Sequence, residues 1–265
     1  MSVVRLSGIE IGYTEVGQGS AVVLLHGFPL NRSMWRDQMQ ELSVAHRVIM
    51  PDLRGHGETV VSSAQATMEE MAGDVARLLD HLKIEQIVLG GLSLGGYVAF
   101  AFYRLFPNRV RALVLADTRP QADSEEARRN REVMRERALQ QGIDTIADAM
   151  LPKLLAPATL AKDFETVTRV REMIVGTKPE GAAAALGGMA ARRDQSDLLS
   201  EIASPTLIIV GSEDSVTPPG DAELMHRKIP NSHLEIIEGA GHLSNIERPV
   251  EFNRALTDFI NTFEL

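Results

Sequence analysis

The sequence predicts an α/β protein with a mostly parallel, doubly wound sheet and an inserted block of helices. Three observations predict it. Over the first 117 residues, short apolar β-branched runs alternate with helical patterns. From Arg119 to about Asp197 the pattern is helical, with no convincing strand. Strand rhythm then resumes at 206–210 and 233–237.

Taken in order, Ile9–Val16 reads as a strand of near-alternating polarity. Residues 21–25 and 46–50 are short apolar runs, as expected for strands buried on both faces. Residues 67–83 form a helix. Thr67 and Glu70 make a capping-box pattern, and Met68, Met71, Val75, Leu78, Leu79 and Leu82 recur at helical spacing, so both methionines read as core. Residues 86–90 are a strand, 97–106 a helix and 112–116 another buried strand. Within the insertion, 123–141 is a charged helix ended by Gly142. The segments 143–155, 158–175 and 179–191 follow as helices, punctuated by Pro152, Pro157, Gly176 and Pro179. A final helix spans 250–263. Residues 1–118 and 198–265 are therefore expected to form the core, and 119–197 a cap or lid over one sheet edge.

Bulk composition narrows the functional classes. With 44% hydrophobic and 24% charged residues, the 265-residue chain is ordinary for a globular protein able to bury a large core. A net charge of −9 argues against nucleic acid or an anionic membrane as partner. No apolar stretch approaches a membrane span, and the first eight residues show no signal-peptide pattern. The absence of cysteine excludes disulfides, a thiol nucleophile and thiolate metal sites, and fits a cytoplasmic enzyme. Oligomeric state is left open.

The chemistry concentrates at Gly91-Leu92-Ser93-Leu94-Gly95, a serine between glycines where a strand turns into a helix. A serine hydroxyl needs a base, usually histidine, itself oriented by a carboxylate. On parallel sheets carrying this turn the chain order is serine, acid, histidine. Asp214 follows the strand ending at Val210, and His242 follows the strand ending at Ile237. Catalytic groups gather at the carboxyl ends of such strands, so Ser93, Asp214 and His242 are expected on one edge. The backbone N–H groups of Phe28, in His26-Gly27-Phe28-Pro29, and of Leu94 are the candidate oxyanion donors.

With HGFP at 26–29, DLRGHG at 52–57, GLSLGG at 91–96, GSEDSVTP at 211–218 and GAGH at 239–242, the chain resembles the α/β-hydrolase superfamily over nearly its whole length. Within it, the chain is similar to small lidded bacterial carboxylesterases and to 3-oxoadipate enol-lactonases. The resemblance implies the α/β-hydrolase fold and a cofactor-independent serine hydrolase without a metal. Its substrates would be a small-molecule ester, of short to medium acyl chain, and water, turned over through an acyl-enzyme. Thr59, where many members carry serine, is a departure that touches nothing catalytic.

Plainer roles compete at each position. Ser93 could be only a small turn residue; Glu213 or Asp117 could supply the carboxylate in place of Asp214. Six other histidines compete with His242. Of these, His26 and His56 read as loop-organising hydrogen bonders. Asp52 and Arg54 are expected to pair locally. The arginines of 123–141, interleaved with glutamates, are expected to form a solvated ion-paired face. Trp35 is a candidate to border the acyl pocket, against a packing role of equal weight. Haloalkane dehalogenases and epoxide hydrolases carry aspartate at the nucleophile position, so Ser93 disfavours them. Enol-lactonases, perhydrolases, C–C bond hydrolases and hydroxynitrile lyases keep the same triad. A non-catalytic small-molecule receptor is the contrasting class.

Overall fold

The apolar runs pair into an eight-stranded sheet among the described residues. The fold is that of a computed structural model describing residues 2–6, 8–61 and 65–263; the extreme ends of the expected core segments, residues 1, 264 and 265, lie outside them. The strands are β1 (Ser2–Leu6), β2 (Ile9–Val16), β3 (Ala21–Leu25), β4 (Arg47–Pro51), β5 (Ile87–Leu92), β6 (Val110–Ala116), β7 (Thr206–Gly211) and β8 (Ser232–Ile237). Their spatial order is β1-β2-β4-β3-β5-β6-β7-β8. From β4 to β8 every pairing is parallel, while β1–β2 and β2–β4 are antiparallel. Strand β1 has no counterpart in the sequence reading: its five residues, exposed or half-exposed, mix Ser2 and Arg5 with Val3, Val4 and Leu6 and make no sustained apolar run.

The helices are α1 (Arg36–Leu42), α2 (Met68–His81), α3 (Leu94–Leu105), α4 (Glu125–Gln141), α5 (Asp144–Leu154), α6 (Pro157–Lys162), α7 (Phe164–Val175), α8 (Pro179–Ala190), α9 (Pro219–Lys228), α10 (Ser244–Glu247) and α11 (Pro249–Asn261). Helix α2 starts at its capping box: the Glu70 N–H donates to Thr67 Oγ1 at 3.2 Å, and the Thr67 N–H donates to Glu70 Oε2 at 2.9 Å. Met68 and Met71 lie buried on its inner face. Strands β5 and β7 are buried at every residue, so they run through the centre of the core. Burying each of their large aliphatic side chains contributes about 1.5–3 kcal/mol.

Helices α4 to α8 fill the stretch between β6 and β7, with two corrections to the expected elements. Residues 158–175 form two helices, because Asp163 leaves helical geometry and its side chain accepts from the Thr166 N–H at 3.0 Å, capping α7. Pro152 lies inside α5, within the span expected for that helix. The arginines of α4 are not all solvated: Arg131 ion-pairs with the buried carboxylate of Asp123 and reaches Met189 Sδ at 3.4 Å. The block contacts loops at the carboxyl ends of the strands. Thr177 Oγ1 donates to Pro29 O at 2.8 Å, and the Leu243 N–H donates to Leu154 O at 3.2 Å.

Candidate active site

Ser93 lies between the end of β5 and the first residue of α3, with φ 54° and ψ −111°. A non-glycine residue at positive φ is strained and persists only where its surroundings over-determine it. Here they do. The Ser93 N–H donates to Ala116 O at 3.0 Å, and Thr118 Oγ1 donates to Ser93 O at 2.9 Å. Glycine is required next to it, since a Cβ on Gly95 would overlap the carbonyl oxygen of Leu25 in β3. Helix α3 starts at Leu94, three residues earlier than the sequence suggests, because the sharp turn is completed within Ser93 itself. The Leu94 N–H thereby becomes the first of the helix, where no intrahelical acceptor exists.

Ser93 Oγ is 2.8 Å from His242 Nε2, and His242 Nδ1 donates to Asp214 Oδ2 at 2.8 Å. A carboxylate can only accept, so the ring proton sits on Nδ1 and the Nε2 lone pair faces the hydroxyl. The three residues come from the loops after β5, β7 and β8. The other carboxylate oxygen, Asp214 Oδ1, accepts the N–H groups of Val216 and Thr217 at 2.8 and 2.9 Å. Thr217 Oγ1 donates to Oδ2 at 2.7 Å. His242 and Asp214 are buried, while Ser93 is half-buried. Burial alone would disfavour the His242 imidazolium. The charge and hydrogen bond of Asp214 outweigh it and raise the pKa above 6.5. Burial likewise opposes the Asp214 charge, but His242 and the Thr217 bonds prevail and hold its pKa below the usual value.

Of the competing carboxylates, Glu213 is exposed. Asp117, just beyond β6, is buried at φ 42°. It accepts the Gly211 N–H at 2.9 Å and shares a 2.5 Å hydrogen bond with Ser244 Oγ. Burial, then the charge of Asp214, pushes its pKa up to about 8. Thr217, Ser244, Thr118 and Glu247 support the site without a sequence signal of their own. Glu247 Oε1 accepts the Gly241 N–H and Oε2 the Ala156 N–H, both at 2.8 Å, tying the His242 loop to α6.

The loop after β3 brings Phe28 beside this edge, and a Cβ on Gly27 would lie 3.6 Å from Ser93 Cβ. Among the described residues, neither the Phe28 nor the Leu94 N–H donates to a protein acceptor. His26 Nε2 accepts the Leu53 N–H at 2.9 Å, and the His56 Nδ1–H donates to Arg54 O at 3.0 Å. Burial pushes their pKa values down to about 4 and about 3, so both are neutral braces between loops. The expected Asp52–Arg54 pair does not form. Asp52 pairs with the buried Arg32, and Arg54 reaches Asp74 on α2, with Nη2 donating to Oδ1 at 3.0 Å. Trp35 is fully buried against Phe252, with ring centroids 5.9 Å apart.

Known proteins share this architecture. The chain is 29% identical over 258 residues to 3-oxoadipate enol-lactonase 2 of Acinetobacter baylyi, covering 96% of this chain and 94% of that protein. Its structure matches a thermophilic esterase from Thermogutta terrifontis, solved with malate bound, with a TM-score of 0.97, 44% identity and 99% coverage of both chains. It also matches the enol-lactonase from Burkholderia xenovorans LB400, with a TM-score of 0.92, 28% identity and coverage of 98% of this chain and 100% of that one. A model of the alpha/beta hydrolase fold matches residues 20–249, and the chain belongs to that family.

Proposed function

We propose that the protein is a serine hydrolase that cleaves carboxylic esters of short to medium acyl chain. The observation that carries this reading is the unbroken chain of contacts from Ser93 Oγ through His242 to Asp214, both links at 2.8 Å. His242 Nε2 takes the Ser93 proton as Oγ attacks the ester carbonyl, and Asp214 stabilises the imidazolium that forms. The N–H groups of Phe28 and Leu94 receive the oxyanion, each donor contributing about 3–4 kcal/mol to the transition state. The alcohol leaves with the proton from His242. Water, deprotonated by the same imidazole, then releases the acid and restores Ser93. Residues 119–197 serve as the cap over this edge, and their bonds to the loops after β3 and β8 support that role.

A second reading, enol-lactone hydrolysis, is favoured by one observation. The Arg119 guanidinium, at the start of the insertion, is held only loosely by Asp123 at 3.7 Å, and its charge is felt at His242. A cation so placed suits a substrate carrying a carboxylate, and relatives of this chain are named enol-lactonases. A series of p-nitrophenyl esters from acetate to decanoate, run beside 3-oxoadipate enol-lactone, separates the readings. Fastest turnover of a neutral ester between butyrate and octanoate is expected. A kcat/KM at least a hundredfold higher for the lactone overturns the ester reading in favour of the second.

A further inference from the structure

Asp117 stands beside the proposed triad without belonging to it. Its N–H donates to Ile209 O at 2.9 Å, Oδ1 accepts from Gly211, and Oδ2 meets Ser244 Oγ. Among the described residues no lysine or arginine pairs with its side chain. The ionisable groups around it are Asp214 from the loop after β7 and His242 from the loop after β8. Beyond them lie Arg119 at the start of the insertion and Asp221 on α9. Two buried carboxylates thus stand near one imidazole, and only Asp214 is bonded to it. Asp214 takes that imidazole, two N–H groups and the Thr217 hydroxyl, whereas Asp117 has one N–H and one hydroxyl. Like charges in a water-poor site cannot both remain, and the less solvated carboxylate keeps the proton.

We propose that Asp117 is a positioning residue that works as a neutral carboxylic acid, its carbonyl oxygen holding Gly211 and its hydroxyl holding Ser244. Gly211 lies three residues before Asp214, and Ser244 two residues after His242. One side chain therefore ties the acid loop to the base loop. Its proton leaves a single negative charge beside His242, where two would over-stabilise the imidazolium. The inference rests on the Ser93–His242–Asp214 reading for its catalytic meaning, and its first test is independent of any substrate.

Asp117→Asn keeps the shape, accepts from Gly211, donates to Ser244 and tolerates the left-handed backbone. The native pKa of Asp117 lies above its unfolded value. Its stabilising contribution is therefore present below the unfolded pKa and lost as pH rises through the native one. Wild type carries that loss between pH 5 and 7, and the asparagine variant does not. The melting temperature of D117N minus that of wild type should therefore climb by roughly 3 °C per pH unit. A difference that stays flat with pH means Asp117 is ionised in the native protein, and overturns the proposal.

The positioning arm uses the rate at which a fluorophosphonate modifies Ser93. D117N should label within about threefold of wild type, and Ser244→Ala, which frees one end of the tie, about tenfold more slowly. S244A labelling at the wild-type rate, or D117N as slow as S244A, overturns it. A protein that labels but hydrolyses no ester fails the substrate reading and leaves this one standing.

Discussion

Asp214→Asn exchanges one oxygen for nitrogen, and the structure dictates where that nitrogen goes. Oδ1 accepts two backbone N–H groups, from Val216 and Thr217, so the amide oxygen must stay there. The amide nitrogen then occupies the place of Oδ2, 2.8 Å from His242 Nδ1 and 2.7 Å from Thr217 Oγ1. As a donor it demands the Nδ1 lone pair, which moves the ring proton to Nε2, facing Ser93. That tautomer cannot take the hydroxyl proton. A wrong-tautomer base in a serine–histidine–aspartate site costs about 10⁴-fold in kcat, or about 5.5 kcal/mol of barrier. Loss of the negative charge also leaves burial unopposed at His242, so the acid limb of any residual activity moves to lower pH. The assay is kcat/KM for p-nitrophenyl butyrate from pH 5 to 9, with melting temperature as the folding control. Activity within tenfold of wild type at pH 8, with the acid limb unmoved, would refute the reasoning and pass the role to Asp117.

In the wild type, His242 must be neutral to act, and its pKa is raised above 6.5, so kcat/KM should fall on acidification with a midpoint above that value. A midpoint at or below 6.5 in a pH–rate profile contradicts the balance of burial and Asp214 described for the site. Gly95→Ala places a Cβ against the Leu25 carbonyl and 3.0 Å from His26 O, so α3 must shift off β3. A loss of about 3 kcal/mol in denaturant unfolding is expected, with a matching fall in kcat; stability within 1 kcal/mol of wild type would show that the turn can relax.

What was legible followed local rules. The strand–turn–helix around Ser93 is announced by an apolar run, two glycines and a helical pattern, all between residues 86 and 106. Helix α2 carries its own start signal in Thr67 and Glu70. Core strands β5 and β7 are visible because burial on both faces demands unbroken apolar runs. Features set by distant partners were not legible. Arg32 and Asp52 pair across 20 positions, where the neighbouring Arg54 looked the natural partner for Asp52. The break at Asp163 shows no periodicity change, and its role as a cap exists only once the backbone leaves the helix. In sequence Asp117 is only a rival to Asp214 for the role of the acid. Nothing in its neighbours in sequence reveals that Gly211 and Ser244, 94 and 127 positions away, hold its oxygens.

The most direct test of the proposed chemistry is mass spectrometry of the protein after treatment with a fluorophosphonate, followed in parallel by p-nitrophenyl butyrate hydrolysis. The expected result is one adduct per chain, mapped to Ser93, accumulating in step with loss of activity and absent from folded Ser93→Ala, which hydrolyses nothing above background. A wild-type protein that takes up no adduct, or an S93A variant that still turns over the ester, would contradict the account.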